Sequence, residues 1–172
     1  MTEKFLNGKT ALVTGASRGI GAATAIALAA AGAHVILTAR TAAELEKVEE
    51  EIFGAGGTAT IAPLDLTDGD NIGRLAVAVK ERWGKLDILV LNAAMLGSLG
   101  PVSTIDAGEF NRILTLNLLS QQAMIAAFDG LLRKSDAGRL IALTSSVGSK
   151  PRAFWGAYGA SKAALEILVS SY

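Results

Sequence analysis

Short apolar runs of strand length alternate along this chain with segments whose apolar residues recur at helical spacing. The strand-like runs cover residues 9–14, 34–38, 58–62, 86–91 and 139–144. The helix-like segments cover residues 19–31, 41–53, 70–83 and 106–128, and a further one begins at residue 156. Apolar runs of about four to eight residues indicate strands, and longer segments with a period near 3.6 indicate helices.

Regular alternation of strands and helices is typical of an α/β protein with a doubly wound parallel sheet. Each strand-helix-strand unit then makes a right-handed crossover, which places helices on both faces of the sheet. The run LDILVL at residues 86–91 is apolar enough for a strand that is covered on both faces. No linker or low-complexity segment interrupts the alternation, so residues 1–172 are expected to form one domain.

Composition narrows the classes of function. The chain is 51% apolar and only 19% charged, against about 25% in an average domain, so much surface is expected to be buried within the chain or against a partner. Net charge is zero and the basic residues are dispersed, which argues against a nucleic-acid or anionic-membrane surface. The absence of cysteine and the single histidine, His34, argue against thiol chemistry, a metal site and a Ser-His-Asp triad built in the usual way.

One uncharged stretch, residues 19–39, is long enough to span a membrane. Its middle, AAAGAH, is expected to break it into a helix, a turn and a strand, so no membrane segment is predicted. The start, MTEK at residues 1–4, does not lead into the apolar core that a signal peptide has. A cytoplasmic protein is therefore expected.

A glycine-rich loop, TGASRGIG at residues 14–21, follows the first strand and opens the first helix. Glycines allow a tight turn and a close approach of the backbone, and the free N–H groups of a helix N-terminus attract phosphate. The spacing is G-x-x-x-G-x-G rather than the commoner G-x-G-x-x-G, and the alternative interpretation is a turn with packing duties only. The residues predicted to bind a dinucleotide here are Gly15, Ser17, Arg18, Gly19, Ile20 and Gly21.

The end of the second strand distinguishes the two nicotinamide cofactors. NAD sites place an acidic residue there, whereas NADP sites use arginine for the 2′-phosphate. Here Arg40 follows Thr38 and Ala39 without a carboxylate, and Arg18 would supply a second cation. NADP is therefore predicted, with NAD as the less favoured cofactor. The alternative is that both arginines are ordinary surface residues.

Tyr158 and Lys162, in WGAYGASK, are four residues apart and therefore share one face of the last helix. A free phenol titrates near 10, so proton exchange near pH 7 requires about 4 kcal/mol of stabilisation of the phenolate form. An ammonium about 4 Å away supplies about 1 kcal/mol in water and about 4 kcal/mol at an intermediate dielectric. The pair is therefore predicted to exchange protons in a partly dehydrated cleft, and the alternative is a solvated helix face.

Five motifs, taken in order, resemble the short-chain dehydrogenase/reductase family over essentially the whole chain. They are the glycine loop, Asn92-Ala93-Ala94, Asn117, Ser145 and Tyr158-x-x-x-Lys162. The resemblance implies a Rossmann-like, three-layer α/β/α domain that transfers hydride between a nicotinamide cofactor and a carbonyl or alcohol. Two segments, residues 92–97 and 132–162, resemble an uncharacterised branch of bacterial oxidoreductases.

The resemblance implies a role for each catalytic position. Tyr158 matches the acid/base, and Lys162 matches the lysine that also holds the nicotinamide ribose. Asn117 matches the asparagine that holds a water in the proton relay. Ser145, thirteen residues before Tyr158, matches the serine that orients the substrate.

The resemblance also implies cofactor contacts beyond the glycine loop. Asp65 and its neighbour Leu66 match the adenine contact after the third strand. Asn92, Ala93 and Ala94 match the stretch that lines the cofactor. The family usually has glycine where this chain has Ala94, so a small loss of cofactor affinity is expected.

Two expectations concern the rest of the molecule. Family members continue beyond the position of Tyr172 into strands and a segment that covers the substrate, and that part is absent here. The chain is therefore expected to be a piece of a longer enzyme, a truncated cofactor-binding protein, or a chain completed by another. Residues 113–128 are apolar on nearly all sides, and the family uses this helix and the one from residue 156 in a contact between subunits, so a homo-oligomer (dimer or tetramer) is expected.

The predicted function is an NADP-dependent carbonyl reductase or alcohol dehydrogenase that acts on a small molecule. The rival is an inactive, nucleotide-binding regulatory protein, which would have no need of the four catalytic positions together. Phe154 and Trp155 are candidates for the substrate mouth, with ordinary packing as the alternative. No motif identifies the substrate itself.

Overall fold

A computed structural model describes residues 4–172, which form a five-stranded parallel sheet flanked by helices. The strands are β1 (Thr10–Thr14), β2 (His34–Thr38), β3 (Thr58–Ile61), β4 (Ile88–Leu91) and β5 (Arg139–Ala142). The helices are α1 (Gly19–Ala30), α2 (Ala42–Gly54), α3 (Gly69–Trp83), α4 (Ala107–Leu114), α5 (Ser120–Leu132), α6 (Ser146–Ser149) and α7 (Gly156–Ser171), with a short 3₁₀ helix at Val102–Thr104. The strand order is β3-β2-β1-β4-β5, which confirms the doubly wound α/β fold.

The sheet is covered on both faces, which makes three layers. On one face, α1 and α2 pack Ala25, Leu45 and Ile52 against the strands. On the other face, α3 and α5 contribute Ile72 and Phe128 to a second buried cluster. Fully burying side chains of this size contributes about 1.5–3 kcal/mol each. Every residue of β1 and β4 is buried, as expected for strands between two layers of helices.

The strand order reverses at β1. The chain moves from β1 through β2 to β3 on one side, and then returns to place β4 and β5 on the other side. The loops that follow β1 and β4 therefore diverge and leave a crevice at the carboxyl ends of the strands. This crevice is where the site described below lies.

At the opposite end of the sheet, where the strands begin, the buried carboxylate of Asp87 links several segments of the chain. It accepts hydrogen bonds from the Thr10 N–H at 2.9 Å and the Ser135 hydroxyl at 2.5 Å, and Lys9 and Lys85 lie 3.4 and 3.3 Å away. Burial alone would raise the pKa of Asp87, but the hydrogen bonds from Ser135 and Thr10 and the charge of Lys85 outweigh it and lower that pKa. These contacts tie the start of β1 to the segment that leads into β4.

The long helix predicted over residues 106–128 is present as a continuous helical run, but a π-helical turn, Thr115–Leu119, divides it into α4 and α5. In this turn the Ser120 N–H bonds to the Thr115 carbonyl, five residues back, which adds one residue to the helical repeat. The apolar pattern runs through the segment without interruption, so it does not reveal the change of register. The turn carries Asn117, which is fully buried.

The uncharged stretch at residues 19–39 folds as α1, a turn and β2, with Gly32 at φ 105° in the turn. None of the helices within residues 4–172 combines the length and the apolar character needed to cross a bilayer. Residues 1–3, which entered the expectation about a signal peptide, lie outside the described part of the chain.

Candidate active site

A cleft of about 880 Å³ opens at the carboxyl ends of the strands, bordered by the loops after β1 and β4, the ends of β2 and β3, and α4. Open α/β sheets bind ligands at this position. Most of the residues predicted to contact the cofactor line this cleft, namely Gly15, Ser17, Arg18, Gly19, Ile20, Arg40, Asp65, Leu66, Asn92, Ala93 and Ala94. The remaining three predicted cofactor residues, Gly21, Tyr158 and Lys162, do not line it.

Three glycines shape the loop after β1. Gly15 and Gly19 have φ angles of 64° and 57°, in the left-handed region that glycine adopts most readily. A Cβ at Gly21 would collide with the carbonyl oxygen of Gly15, so this glycine allows α1 to approach the loop. A Cβ at Gly19 would meet no atom within 4 Å, so the cleft is open at that point. Gly21 does not line the cleft, and its part is to let α1 pack closely against the loop after β1.

Thr14 and Asn92 join the loop after β1 to the loop after β4. The Thr14 hydroxyl donates to the Val90 carbonyl at 3.1 Å and accepts from the N–H groups of Asn92 and Ala93 at 2.9 and 3.0 Å. The Asn92 amide donates to the carbonyls of Thr14 and Gly15 at 2.9 and 3.1 Å. These bonds set the width of the cleft, and the part played by Thr14 was not predicted from the sequence.

The start of α1 fits the diphosphate of a dinucleotide. Its first N–H groups have no side-chain cap, and no acidic residue occupies its first turn. Arg18 precedes the helix and is exposed on the cleft. An anion at a helix N-terminus gains about 0.3–1 kcal/mol from the dipole, and up to about 2 kcal/mol where it is partly buried. Uncapped donors, an open position at Gly19 and a guanidinium group together suit two phosphates.

Asp65 and Arg40 line the part of the cleft beyond β3 and β2. The Asp65 Oδ1 accepts hydrogen bonds from the N–H and the hydroxyl of Thr67 at 2.9 and 2.8 Å. These two bonds, aided by the charge of Arg40, hold the pKa of Asp65 below its ordinary value. The carboxylate is therefore ionised at neutral pH, and its second oxygen has no partner within residues 4–172.

Glu44, in the first turn of α2, also lines the cleft, although it was not predicted as a cofactor residue. It brings a negative charge to the region of Arg18 and Arg40. A carboxylate there suits the hydroxyls of an adenine ribose, whereas the two guanidinium groups suit a phosphate. The cleft thus carries groups of both kinds.

A second set of lining residues was missed because it lies on α4 and the π turn. Asn111, Arg112, Thr115 and Leu116 face the cleft, at positions that fall on one strip of a helix. The only indication of these residues in the sequence was that they lie within six residues before Asn117, which was itself a predicted site residue. The apolar character of the same segment had pointed to a subunit contact instead.

Asn117 connects the cleft to α7. Its Oδ1 accepts from the Met95 N–H at 2.8 Å, and its Nδ2 donates to the Met95 carbonyl at 2.8 Å and to the Ser161 hydroxyl at 3.0 Å. The Ser161 hydroxyl in turn donates to the Tyr158 carbonyl at 2.7 Å. Both amide hydrogens of Asn117 are therefore taken by protein acceptors, so a relay water would have to bond to another atom of this residue.

Lys162 and Tyr158 are neighbours on α7. The lysine is 2% exposed, and its ammonium donates to the Leu143 carbonyl at 2.7 Å. Its Nζ lies 5.8 Å from the centroid of the Tyr158 ring, and no carboxylate within residues 4–172 pairs with it. Burial lowers the pKa of Lys162. The ammonium thus lies in the dry surroundings that its proposed effect on the phenolate requires.

Ser145 follows β5 and stands directly before α6. Its backbone is extended, and its hydroxyl makes no hydrogen bond within the described residues. α6 packs closely on α7, because a Cβ at Gly159 would lie 3.1 Å from the Val147 carbonyl oxygen. The fold therefore places an uncommitted hydroxyl next to the helix that carries Tyr158.

Comparison with known proteins relates this geometry to other chains. The sequence model of the short chain dehydrogenase family matches residues 9–172. An uncharacterized oxidoreductase of Listeria innocua is 34% identical over 164 residues, which cover 95% of this chain and 66% of the relative. The chain spans about half to two thirds of the length of the first curated relatives it matches.

Two solved structures share the fold and were determined with different cofactors. A metagenomic short-chain oxidoreductase in complex with NADP gives a TM-score of 0.91 at 40% identity, covering 96% of this chain and 75% of the other. An NAD⁺-bound xylitol dehydrogenase gives a TM-score of 0.92 at 32% identity, covering 96% and 64%. The two neighbours therefore leave the choice between the cofactors open.

Replacing Lys162 with methionine is expected to preserve the fold and raise its thermal midpoint at pH 7, because an unpaired buried ammonium costs free energy. A gain of about 1 kcal/mol would raise the midpoint by about 2–4 °C. The folded-state pKa lies below the unfolded value of about 10.4, so between the two values the unfolded chain binds more protons. Stability of the native chain should therefore rise towards that of K162M as pH increases through this window.

Thermal unfolding of both proteins at pH 7 and pH 10 measures this difference. Lys134→Met, at an exposed lysine, is the matched control and should show no such dependence. A lower midpoint for K162M at pH 7 would mean that the bond to the Leu143 carbonyl stabilises the fold by more than burial of the charge costs.

Proposed function

The chain belongs to the short-chain dehydrogenase family, and on that premise we propose that it is an NADP-dependent oxidoreductase that interconverts a carbonyl and an alcohol. The observation that carries the proposal is the buried ammonium of Lys162 beside the Tyr158 ring, next to a cleft that fits a dinucleotide. A purely structural helix would gain nothing from such a desolvated charge.

The cofactor would bind along the cleft. The N-terminus of α1 would hold the diphosphate, Asp65 would accept a hydrogen bond from the adenine, and Asn92 to Ala94 would line the nicotinamide half. When bound, the nicotinamide supplies or accepts the hydride. Lys162 would hold the nicotinamide ribose with the same ammonium that supports the phenolate of Tyr158.

The protein's own part is to bind the substrate and move one proton. In reduction, the Tyr158 hydroxyl would donate a proton to the carbonyl oxygen as that oxygen becomes an alkoxide; in oxidation, the phenolate would accept it back. The uncommitted hydroxyl of Ser145 would donate a hydrogen bond to the same substrate oxygen and fix its position. Asn117, through Ser161, would hold α7 at a set distance from the cleft.

NADP is the proposed cofactor because Arg40 lines the cleft two residues after the end of β2, where NADP sites place arginine for the 2′-phosphate, and Arg18 adds a second positive charge to the same cleft. A guanidinium matches the geometry of phosphate and stays charged at any working pH. Glu44 opposes this preference, so discrimination against NAD is expected to be moderate.

Self-association is proposed for the face formed by the π turn and α7. Leu119 and Ile167 are exposed there although both are large and apolar. Burial of such side chains between copies removes apolar surface from water. The proposed assembly is a homodimer or homotetramer.

Replacing Tyr158 with phenylalanine removes only the hydroxyl, so NADPH binding should persist while NADPH oxidation falls by about 10²–10⁴-fold, the usual contribution of a general acid. The measurement is the loss of NADPH absorbance with a panel of ketones and aldehydes. Tyr172→Phe is a matched control, because Tyr172 is the only other tyrosine and its hydroxyl bonds to Asp129 at the surface. Equal rates for the native chain and Y158F would reject the role of Tyr158, and cofactor binding without turnover by the native chain would favour the regulatory alternative.

Replacing Arg40 with alanine should weaken NADPH binding by about 10- to 100-fold, because a hydrogen bond to a charged group contributes about 1.5–3 kcal/mol. NADH binding should change little, since NADH lacks the 2′-phosphate. Calorimetric titration with each cofactor measures both constants, and Arg74→Ala, on the outer side of α3, serves as the control. A parallel loss for both cofactors would show that Arg40 does not read the 2′-phosphate.

A further inference from the structure

The turn that leads into α7 holds a phenylalanine in a conformation that suits glycine. The Trp155 N–H bonds to the Arg152 carbonyl at 3.2 Å, which closes a turn over these four residues. Phe154, the third residue, has φ 70° and is the only non-glycine residue with positive φ in the described chain. Four-residue turns whose third residue has a positive φ normally have glycine or asparagine at that position.

Packing in the protein core does not explain the choice of residue. Phe154 is 59% exposed, so its ring adds little buried surface to the fold. A large apolar side chain that is both strained and exposed is unfavourable on two counts, and such positions cluster at ligand-binding sites. Glycine would remove the strain and the exposed surface together.

The position of the turn connects it to the reacting groups. Phe154 is four residues before Tyr158, and the adjacent Trp155 packs edge-on against the Tyr158 ring with centroids 6.2 Å apart. Trp155 also immediately precedes α7, so the turn and the helix are continuous. The ring of Phe154 is therefore carried on a support that is fixed relative to Tyr158.

A second apolar segment runs beside the turn. The Gly100 N–H donates to the Phe154 carbonyl at 3.1 Å, and a Cβ at Gly156 would lie 2.8 Å from a methyl group of Val102. Leu99 and Val102 on this segment are both exposed. The two segments are in contact and carry three exposed apolar side chains between them, none of which lines the cofactor cleft.

The loop that carries Leu99 is held in place at several points. Met95, at its start, makes two hydrogen bonds with the Asn117 amide. The N–H and hydroxyl of Ser98 both donate to Glu109 Oε1, at 2.8 and 2.9 Å. An apolar surface on an anchored loop is preorganised, so it binds a ligand without first being ordered.

We propose that Phe154, with Leu99 and Val102, forms the substrate-binding wall beside Tyr158 and selects uncharged carbonyl compounds with an aromatic or bulky apolar body. The inference rests on the proposed function, because it assumes that the reacting oxygen is held at Tyr158 and Ser145. The strain at Phe154 is then the cost of placing a ring where only the substrate contacts it. Polyols and hydrophilic carbonyl compounds find no matching polar groups on these three side chains.

Phe154→Gly tests the proposal, since glycine readily adopts φ 70° and the substitution removes the whole apolar side chain. The full chain loaded with NADPH is titrated calorimetrically with 1-phenylethanol, an aromatic alcohol that NADPH cannot convert, and with glycerol. The native chain should bind 1-phenylethanol and not glycerol, and F154G should bind 1-phenylethanol at least about tenfold more weakly. NADPH affinity should be unchanged, and the thermal midpoint of F154G should equal or exceed the native value.

Phe53→Gly, at a phenylalanine on α2 that is 51% exposed, is the matched control and should leave 1-phenylethanol binding unchanged. Equal affinity of F154G and the native chain for 1-phenylethanol would overturn the proposal, and so would a lower midpoint for F154G, which would assign the ring to the fold. Because binding is measured without turnover, a chain that binds 1-phenylethanol but oxidises no NADPH would contradict the proposed function and leave the apolar wall supported.

Discussion

The arrangement of the whole site depends on one buried side-chain amide. Asn117 makes three hydrogen bonds to two separate parts of the chain, the Met95 backbone beside the cofactor cleft and Ser161 on α7. Leaving a buried polar group without its partner costs about 1–3 kcal/mol, so the amide strongly favours one separation between these parts. The π turn is what brings Asn117 into the interior, at the expense of a regular helix. Irregular backbone here therefore serves the geometry of the site.

Buried charges are compensated differently at the two ends of the strands. At the amino-terminal ends, Asp87 is surrounded by hydrogen-bond donors and two lysines, so its burial is compensated. At the carboxyl-terminal ends, Lys162 is buried against one neutral carbonyl, and Phe154 holds a strained backbone. The packed layers of sheet and helices and the contacts of Asp87 thus stabilise the fold, and unfavourable features are concentrated where a ligand would bind. Proteins commonly place strain and unsatisfied groups at functional sites in this way.

Much of this architecture could be predicted from the sequence, because burial on both faces leaves a visible mark on strands such as β4. The position of the glycine loop could also be predicted, because Gly15 and Gly19 adopt φ angles that other residues rarely adopt and Gly21 leaves no room for a side chain. The π turn could not be foreseen, because inserting one residue in a helix leaves the apolar pattern of residues 113–128 almost unchanged. Thr14 was missed for another reason: its importance comes from hydrogen bonds to a segment distant in sequence, which residue spacing does not encode. Glu44 was missed because the fold, and not its own spacing, brings the start of α2 to the cleft.

The central claim is that the Asn117 amide fixes the position of Tyr158 relative to the bound cofactor. The most direct measurement is the rate of hydride transfer in a single turnover, with NADPH and an aromatic ketone at saturation, in the native chain and in Asn117→Ala. A displacement of about 1 Å can cost about 10²-fold in rate, so the rate is expected to fall by about that factor while circular dichroism shows a folded protein. A folded N117A chain that transfers hydride at the native rate would contradict the account.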